Sequence, residues 1–180
     1  CGAAYGGTFP GVPGEVETYL AARERREPGI TPGAERAVRW AGGEPGRTPL
    51  ALVYLHGYSA TRQEVFPLVE RVGEALGANL FFTRLTGHGR DGAAMLEGSV
   101  AAWQQDTLEA LSIGRAIGER VVLLSTSTGG TLSTWAASRS HDDSLAALVM
   151  ISPNFAPRDR TLYLLDWPVL GPALLGYLGD

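Results

Sequence analysis

The sequence predicts an α/β domain of three layers, α/β/α, around a mostly parallel sheet. Four apolar runs of strand type, residues 50–55, 79–85, 120–124 and 145–151, alternate with stretches of helical character. Strands separated by helices need crossover connections, which are right-handed and make the joined strands parallel. The composition agrees: 180 residues, 44% hydrophobic, with 24 Gly and 11 Pro. That length suits one domain able to bury about 70% of its unfolded surface. A balance of 15 basic against 19 acidic residues gives no cationic excess to draw nucleic acid. No apolar run approaches the roughly 20 residues needed to cross a bilayer. Cys1 is the one cysteine, so there is no intrachain disulfide and no cysteine-based metal site. No metal or cofactor is expected.

The elements follow in order. Residues 1–14 are rich in Gly and Pro and read as a flexible tether. Residues 15–27 form a short charged helix, stopped by Pro28 and Gly29. Residues 37–40 make an early edge strand before the Gly42-Gly43 turn. The strand 50–55 runs into His56-Gly57-Tyr58-Ser59. Thr61 with Glu64 three residues on is a capping box, opening a helix with Val65, Leu68, Val69, Val72 and Leu76 on one face. The strand 79–85 delivers the loop Thr86-Gly87-His88-Gly89-Arg90-Asp91-Gly92. Ser99 caps the next helix, with Val100, Trp103 and Leu111 inward. The strand 145–151 closes on Ser152-Pro153. After Pro157 leucines and aromatics crowd a stretch broken by Pro168 and Pro172. Residues 15–157 are the core and residues 158–180 the start of a lid or cap. An amphipathic helical pair packing on further core fits those last residues equally.

The segment 120–130 carries the chemistry. An apolar strand passes into Ser125-Thr126-Ser127-Thr128-Gly129-Gly130 and then a helix. This is the layout of a nucleophile elbow, a serine on a tight strand-to-helix turn. The turn needs small residues two before and two after the serine, because the two backbones nearly touch. Ser125 and Gly129 hold those places around Ser127. The usual residue at the first is Gly, so Ser125 is a departure. A strand followed by a Ser/Thr-rich helix N-cap fits the same residues.

Three segments in this order resemble the bacterial carboxylesterase and monoacylglycerol-lipase branch of the α/β-hydrolases. They are His56-Gly57-Tyr58, then Arg84-Leu85-Thr86-Gly87-His88-Gly89, then Ser125 to Gly130, with Trp103 on the helix between the last two. The match covers roughly residues 48–155. The resemblance implies the α/β-hydrolase fold, incomplete at its C-terminal side, and a serine esterase or lipase with Ser127 as nucleophile. It places backbone N–H groups of Tyr58 and Thr128 in an oxyanion hole, supported by loops carrying His56, Gly57, Gly87, His88, Gly89 and Gly129. His56 is expected to order its loop by hydrogen bonds rather than to act as a base.

Such an enzyme also needs a base and an acid, in the order Ser, Asp or Glu, His. After Ser127 the one histidine is His141. At 1.5 Å per residue it would lie about 20 Å along the helix from Ser127, so it reads as a polar cap near the helix end. The chain is therefore expected to be the N-terminal part of a hydrolase and to be inactive alone. The substrate class is a small-molecule or lipid ester. A non-catalytic lipoprotein or binding module on the same scaffold, or a peptidase or thioesterase, stays open. A chain starting at cysteine suggests a processed bacterial lipoprotein with lipid on Cys1, hence membrane attachment and a cell-envelope or periplasmic location. An arbitrary fragment start, with a cytoplasmic location, is the alternative. The apolar tail predicts self-association or a partner surface.

Overall fold

The computed structural model describes residues 9–139 and 143–156. Five strands form one sheet: β1 (Ala37–Arg39), β2 (Thr48–Leu55), β3 (Asn79–Phe82), β4 (Gly118–Thr126) and β5 (Leu145–Ile151). Their order is β1-β3-β2-β4-β5. β1 runs antiparallel to β3, and the other three pairings are parallel. The sheet is thus mostly parallel with one antiparallel edge. In register Leu55 faces Ser125, so the loop leaving β2 and the turn leaving β4 start side by side.

Four helices flank the sheet: α1 (Pro13–Glu24), α2 (Leu68–Leu76), α3 (Val100–Ile117) and α4 (Thr128–Arg139). Side chains alternate across a strand, and β2 shows the result. Ala51, Val53 and Leu55 point to one core with Val16 and Leu20 of α1, Ile113 and Ile117 of α3, and Leu132 of α4. Leu52 and Tyr54 point to the other, against Val69 of α2. Each large side chain buried this way contributes about 1.5–3 kcal/mol. These are the three layers.

Several boundaries differ from the sequence reading. α1 starts at Pro13, inside the expected tether, because proline suits the first helical turn and Val16 and Leu20 are buried behind it. The helix expected from Thr61 breaks into a 3-10 turn, Arg62–Val65, and α2. Pro67 sits between them, with no N–H to continue the ladder. α2 packs through Val69 and Gly73, while Leu68 and Leu76 face solvent. Gly73 is there because Leu80 of β3 presses on it; a Cβ would stand 2.3 Å from a Leu80 methyl. Val100 is also exposed, since the inward stripe of α3 begins further along. β3 ends at Phe82, and β5 forms the sheet's other edge among the described residues, with Val149 and Met150 partly exposed.

A buried ionic cluster fastens α1 to the sheet. The Arg36 side chain is fully buried and pairs with Glu24 at 2.8 Å, Asp106 at 3.2 Å and Glu109 at 3.4 Å. Burial opposes its charge, and Glu109 and Asp106 more than offset that, so the guanidinium is held above its ordinary pKa. Arg84, also fully buried, pairs with Glu24 at 3.1 Å. Tyr19 donates to Glu109; burial, then that carboxylate, raises the phenol. The expectations for Cys1, for His141 and for the tail 158–180 lie outside the described residues.

Candidate active site

Gly129 explains why β4 and α4 meet as they do. A Cβ there would stand 2.2 Å from the Leu55 carbonyl oxygen and 2.8 Å from that of His56. The end of β2 and the start of α4 are therefore in backbone contact, and a side chain cannot enter. At the other small position, Ser125 is fully buried, with Oγ 3.5 Å from the Val149 carbonyl of β5. A hydroxymethyl fits between β4 and β5 where glycine was the usual residue.

Ser127 occupies the single residue between β4 and α4, with φ of 48°. A non-glycine residue in this left-handed region is strained by about 1–3 kcal/mol and is held there by its surroundings. Three hydrogen bonds do that. Its N–H donates to Ile151 at 3.0 Å, and its carbonyl accepts from Gly130 at 2.9 Å and Asn154 at 3.1 Å. The side chain is half-buried.

Thr128 is the first residue of α4, so its N–H has no acceptor within the helix and sits at the helix's positive end. The Tyr58 N–H makes no backbone hydrogen bond among the described residues. A Cβ on Gly57 would lie 3.4 Å from Ser127 Cβ, which fixes how close the loop after β2 comes to Ser127. The Tyr58 side chain turns outward, 59% exposed, with its ring 5.9 Å from that of His88 and 6.0 Å from that of Trp103.

The two described histidines are enclosed. His56 Nε2 accepts the Leu85 N–H at 3.0 Å, so the proton is on Nδ1, which donates to the Gly57 carbonyl at 2.8 Å. Burial pushes its pKa down to about 3. It ties the loop after β2 to the loop after β3, and neither nitrogen is left for a substrate. His88 lies between Gly87 and Gly89, both left-handed. Its Nδ1 is 3.2 Å from the Thr86 carbonyl, and its ring lies tilted 4.9 Å from that of His56 and edge-on 5.5 Å from that of Trp103. Burial lowers its pKa too. This loop is held from below: Asp106 accepts the Thr86 N–H at 2.6 Å, Trp103 donates to the Thr86 carbonyl at 2.9 Å, and Arg84 donates to the His88 carbonyl at 3.2 Å.

Glu64 joins this site, which the capping-box reading did not foresee. Thr61 does cap, accepting from Gln63 N–H at 3.2 Å. The Glu64 carboxylate turns away, accepting from the Gly57 N–H and the Tyr54 hydroxyl, each at 2.7 Å. Among the described residues no three carboxylate, His or Cys side chains cluster to hold a metal, and no helix is long and apolar enough to cross a membrane.

The family described as serine aminopeptidase, S33, matches residues 47–176. In fold the chain is similar to a solved structure from work on LipS and LipT, two metagenome-derived lipolytic enzymes. The TM-score is 0.66 at 24% identity, over 78% of this chain and 54% of that one. Est1E from Butyrivibrio proteoclasticus, solved with ferulic acid bound, gives 0.54 at 18%, over 66% and 48%. An esterase of Pyrococcus furiosus gives 0.55 at 15%, over 82% and 57%. The chain thus spans about half the length of these solved structures. Their likeness concerns the α/β-hydrolase fold. No curated protein matches this sequence.

Proposed function

We propose that this chain, which belongs to the serine aminopeptidase S33 family, carries the nucleophile and oxyanion half of a serine hydrolase site for carboxylic esters. The observation that carries this is Ser127, held at φ 48° on the β4–α4 turn beside the first amide of α4, which has no acceptor within the helix. In the reaction Ser127 Oγ would attack the ester carbonyl. The carbonyl oxygen, gaining negative charge, would lie against the N–H groups of Tyr58 and Thr128, where preorganised donors act most strongly. Collapse breaks the ester C–O bond, the alcohol leaves with a proton, and the acyl group stays on Ser127 until water releases it.

The proton taken from Ser127 needs a base. His56 has both nitrogens engaged and His88 is buried within its loop. The 180-residue chain is therefore expected to hydrolyse a p-nitrophenyl ester slowly, about 10³-fold or more below a complete triad. What turnover remains should vanish in Ser127→Ala. Turnover that survives Ser127→Ala would overturn the nucleophile assignment. Rapid turnover abolished by Ser127→Ala would instead place the base at His56 or His88. An amide substrate is the second reading, favoured by the family's description as an aminopeptidase; p-nitroanilide and p-nitrophenyl substrates compared side by side separate the two.

A further inference from the structure

We propose that Glu64 is a positioning residue of the oxyanion hole, tying its two halves together; this rests on the Ser127 reading above. The two halves come from different loops, one after β2 and one after β4. Oxyanion donors work only if their spacing is fixed before the substrate arrives. Glu64 lies on neither loop but is bonded toward both. One carboxylate oxygen, Oε1, accepts the Gly57 N–H and the Tyr54 hydroxyl, each at 2.7 Å. These lengths are those of charge-assisted bonds. Tyr54 has one proton and gives it to Glu64. The Thr126 hydroxyl, 2.8 Å away, must then donate to the Tyr54 oxygen. Thr126 directly precedes Ser127. The chain of bonds Gly57–Glu64–Tyr54–Thr126 thus runs from the residue before one donor to the residue before the nucleophile.

The surroundings argue against a bland surface role. Glu64 is exposed, and no ion pair engages it among the described residues; Arg62, two residues before it, pairs with Glu35 instead. Its partners are a fully buried tyrosine and a backbone amide. The second oxygen, Oε2, lies 3.2 Å from where a Gly57 Cβ would stand, and Ser127 Cβ lies 3.4 Å from the same point. Carboxylate and nucleophile flank one glycine. Because Gly57 N–H is occupied by Glu64, the next amide, that of Tyr58, is the one left to face a substrate.

The test uses the full 180-residue chain and 4-fluorophenylboronic acid, which forms a tetrahedral adduct on a serine with an oxygen in the oxyanion position. Binding is read by fluorine NMR, and the Gly57 amide by proton–nitrogen NMR. The Gly57 proton should stand downfield in the wild type, as its 2.7 Å bond to Glu64 requires, and move upfield in Glu64→Ala. Glu64→Ala should weaken boronate binding about tenfold or more, by analogy with removal of an oxyanion donor. Glu64→Gln, which keeps an acceptor, should restore most of the affinity. Binding absent from the wild type, or indifferent to Ser127→Ala, overturns the Ser127 reading and this inference with it. Ser127-dependent binding that Glu64→Ala leaves intact overturns this inference alone. A Gly57 amide proton at an ordinary, unshifted position in the wild type also overturns it, whether or not Glu64→Ala folds.

Discussion

Replacing Gly129 by alanine tests whether the elbow is set by backbone contact. The added Cβ would stand 2.2 Å from the Leu55 carbonyl oxygen, where non-bonded heavy atoms keep about 3.5 Å. The helix start would have to withdraw from β2 by about 1 Å. It cannot do so freely: a Cβ on the next residue, Gly130, would already be 2.7 Å from Pro153, and Leu132, Ser133 and Ala136 are buried further along α4. Overpacking costs about 1–3 kcal/mol, and a backbone-on-backbone clash belongs at the top of that range. The helix-propensity gain of Gly→Ala returns at most about 1 kcal/mol, leaving a loss of about 2 kcal/mol. Gly73→Ala is the matched control. Its Cβ would come as close, 2.3 Å, but to the Leu80 side chain, whose Cγ is at 2.9 Å, rather than to backbone, so its cost should be smaller, about 1 kcal/mol. Urea denaturation with an unchanged m-value reads both. A Gly129→Ala variant as stable as the wild type, or less affected than Gly73→Ala, would refute the claim that β2 and α4 touch through backbone.

Ser127→Gly should raise stability by about 1 kcal/mol, by relieving the left-handed strain, while abolishing Ser127-dependent ester hydrolysis; denaturation and the p-nitrophenyl assay together check it. His56 is held neutral, with its pKa lowered to about 3 against about 6.5 unfolded. The unfolded state therefore binds the extra proton between those values, and stability should fall as pH drops from 6.5 toward 3, by up to about 1.4 kcal/mol per unit from this group. His56→Gln should flatten that slope, and a slope unchanged by the substitution would contradict the assignment. Arg84→Met should cost about 3 kcal/mol, since it breaks a buried pair and leaves Glu24 less compensated; hydrogen exchange should then show α1 opening before the sheet.

The parts of this fold that follow from short-range pattern were legible in the sequence. The apolar runs of β2 and β5 and the small residues around Ser127 each declare themselves within about ten residues. What was not legible depends on partners far along the chain. The charged residues of α1 look like a solvated face, yet Glu24 meets Arg36 and Arg84, and Tyr19 meets Glu109 ninety positions away. Nothing local marks these charges as buried, because burial becomes tolerable only once the opposite charge arrives. Glu64 misled for the opposite reason. A local rule, the capping box, gave its carboxylate a sufficient partner, and the tertiary fold supplied stronger donors. The face of α2 rotated because Leu80 fills the place where a larger side chain than Gly73 would have gone.

The strained positions show where the sequence departs from its own local preferences. Among the described residues three non-glycine residues have positive φ, and all are serines: Ser59, Ser127 and Ser152. Each follows a parallel strand at its carboxyl end: β2, β4 and β5 in turn. Parallel strands bring those ends to one edge of the sheet, which is where ligands bind in open α/β folds. If strain were random error in an otherwise relaxed chain, it would fall on both edges and on the helix connections too. Its confinement to one edge means that the sheet and the helices over-determine these turns and hold them against a cost of about 1 kcal/mol or more each. Serine tolerates that conformation less well than glycine, so a fold selected for stability alone would place glycine at all three. On the proposed reading, the nucleophilic hydroxyl is the reason for keeping the strain at Ser127. The same reasoning makes Ser59 and Ser152 informative controls: Ser152→Gly should stabilise the chain as much as Ser127→Gly while leaving boronate binding at Ser127 in place, and a loss of that binding would show that the turn after β5 takes part in the site rather than merely bordering it.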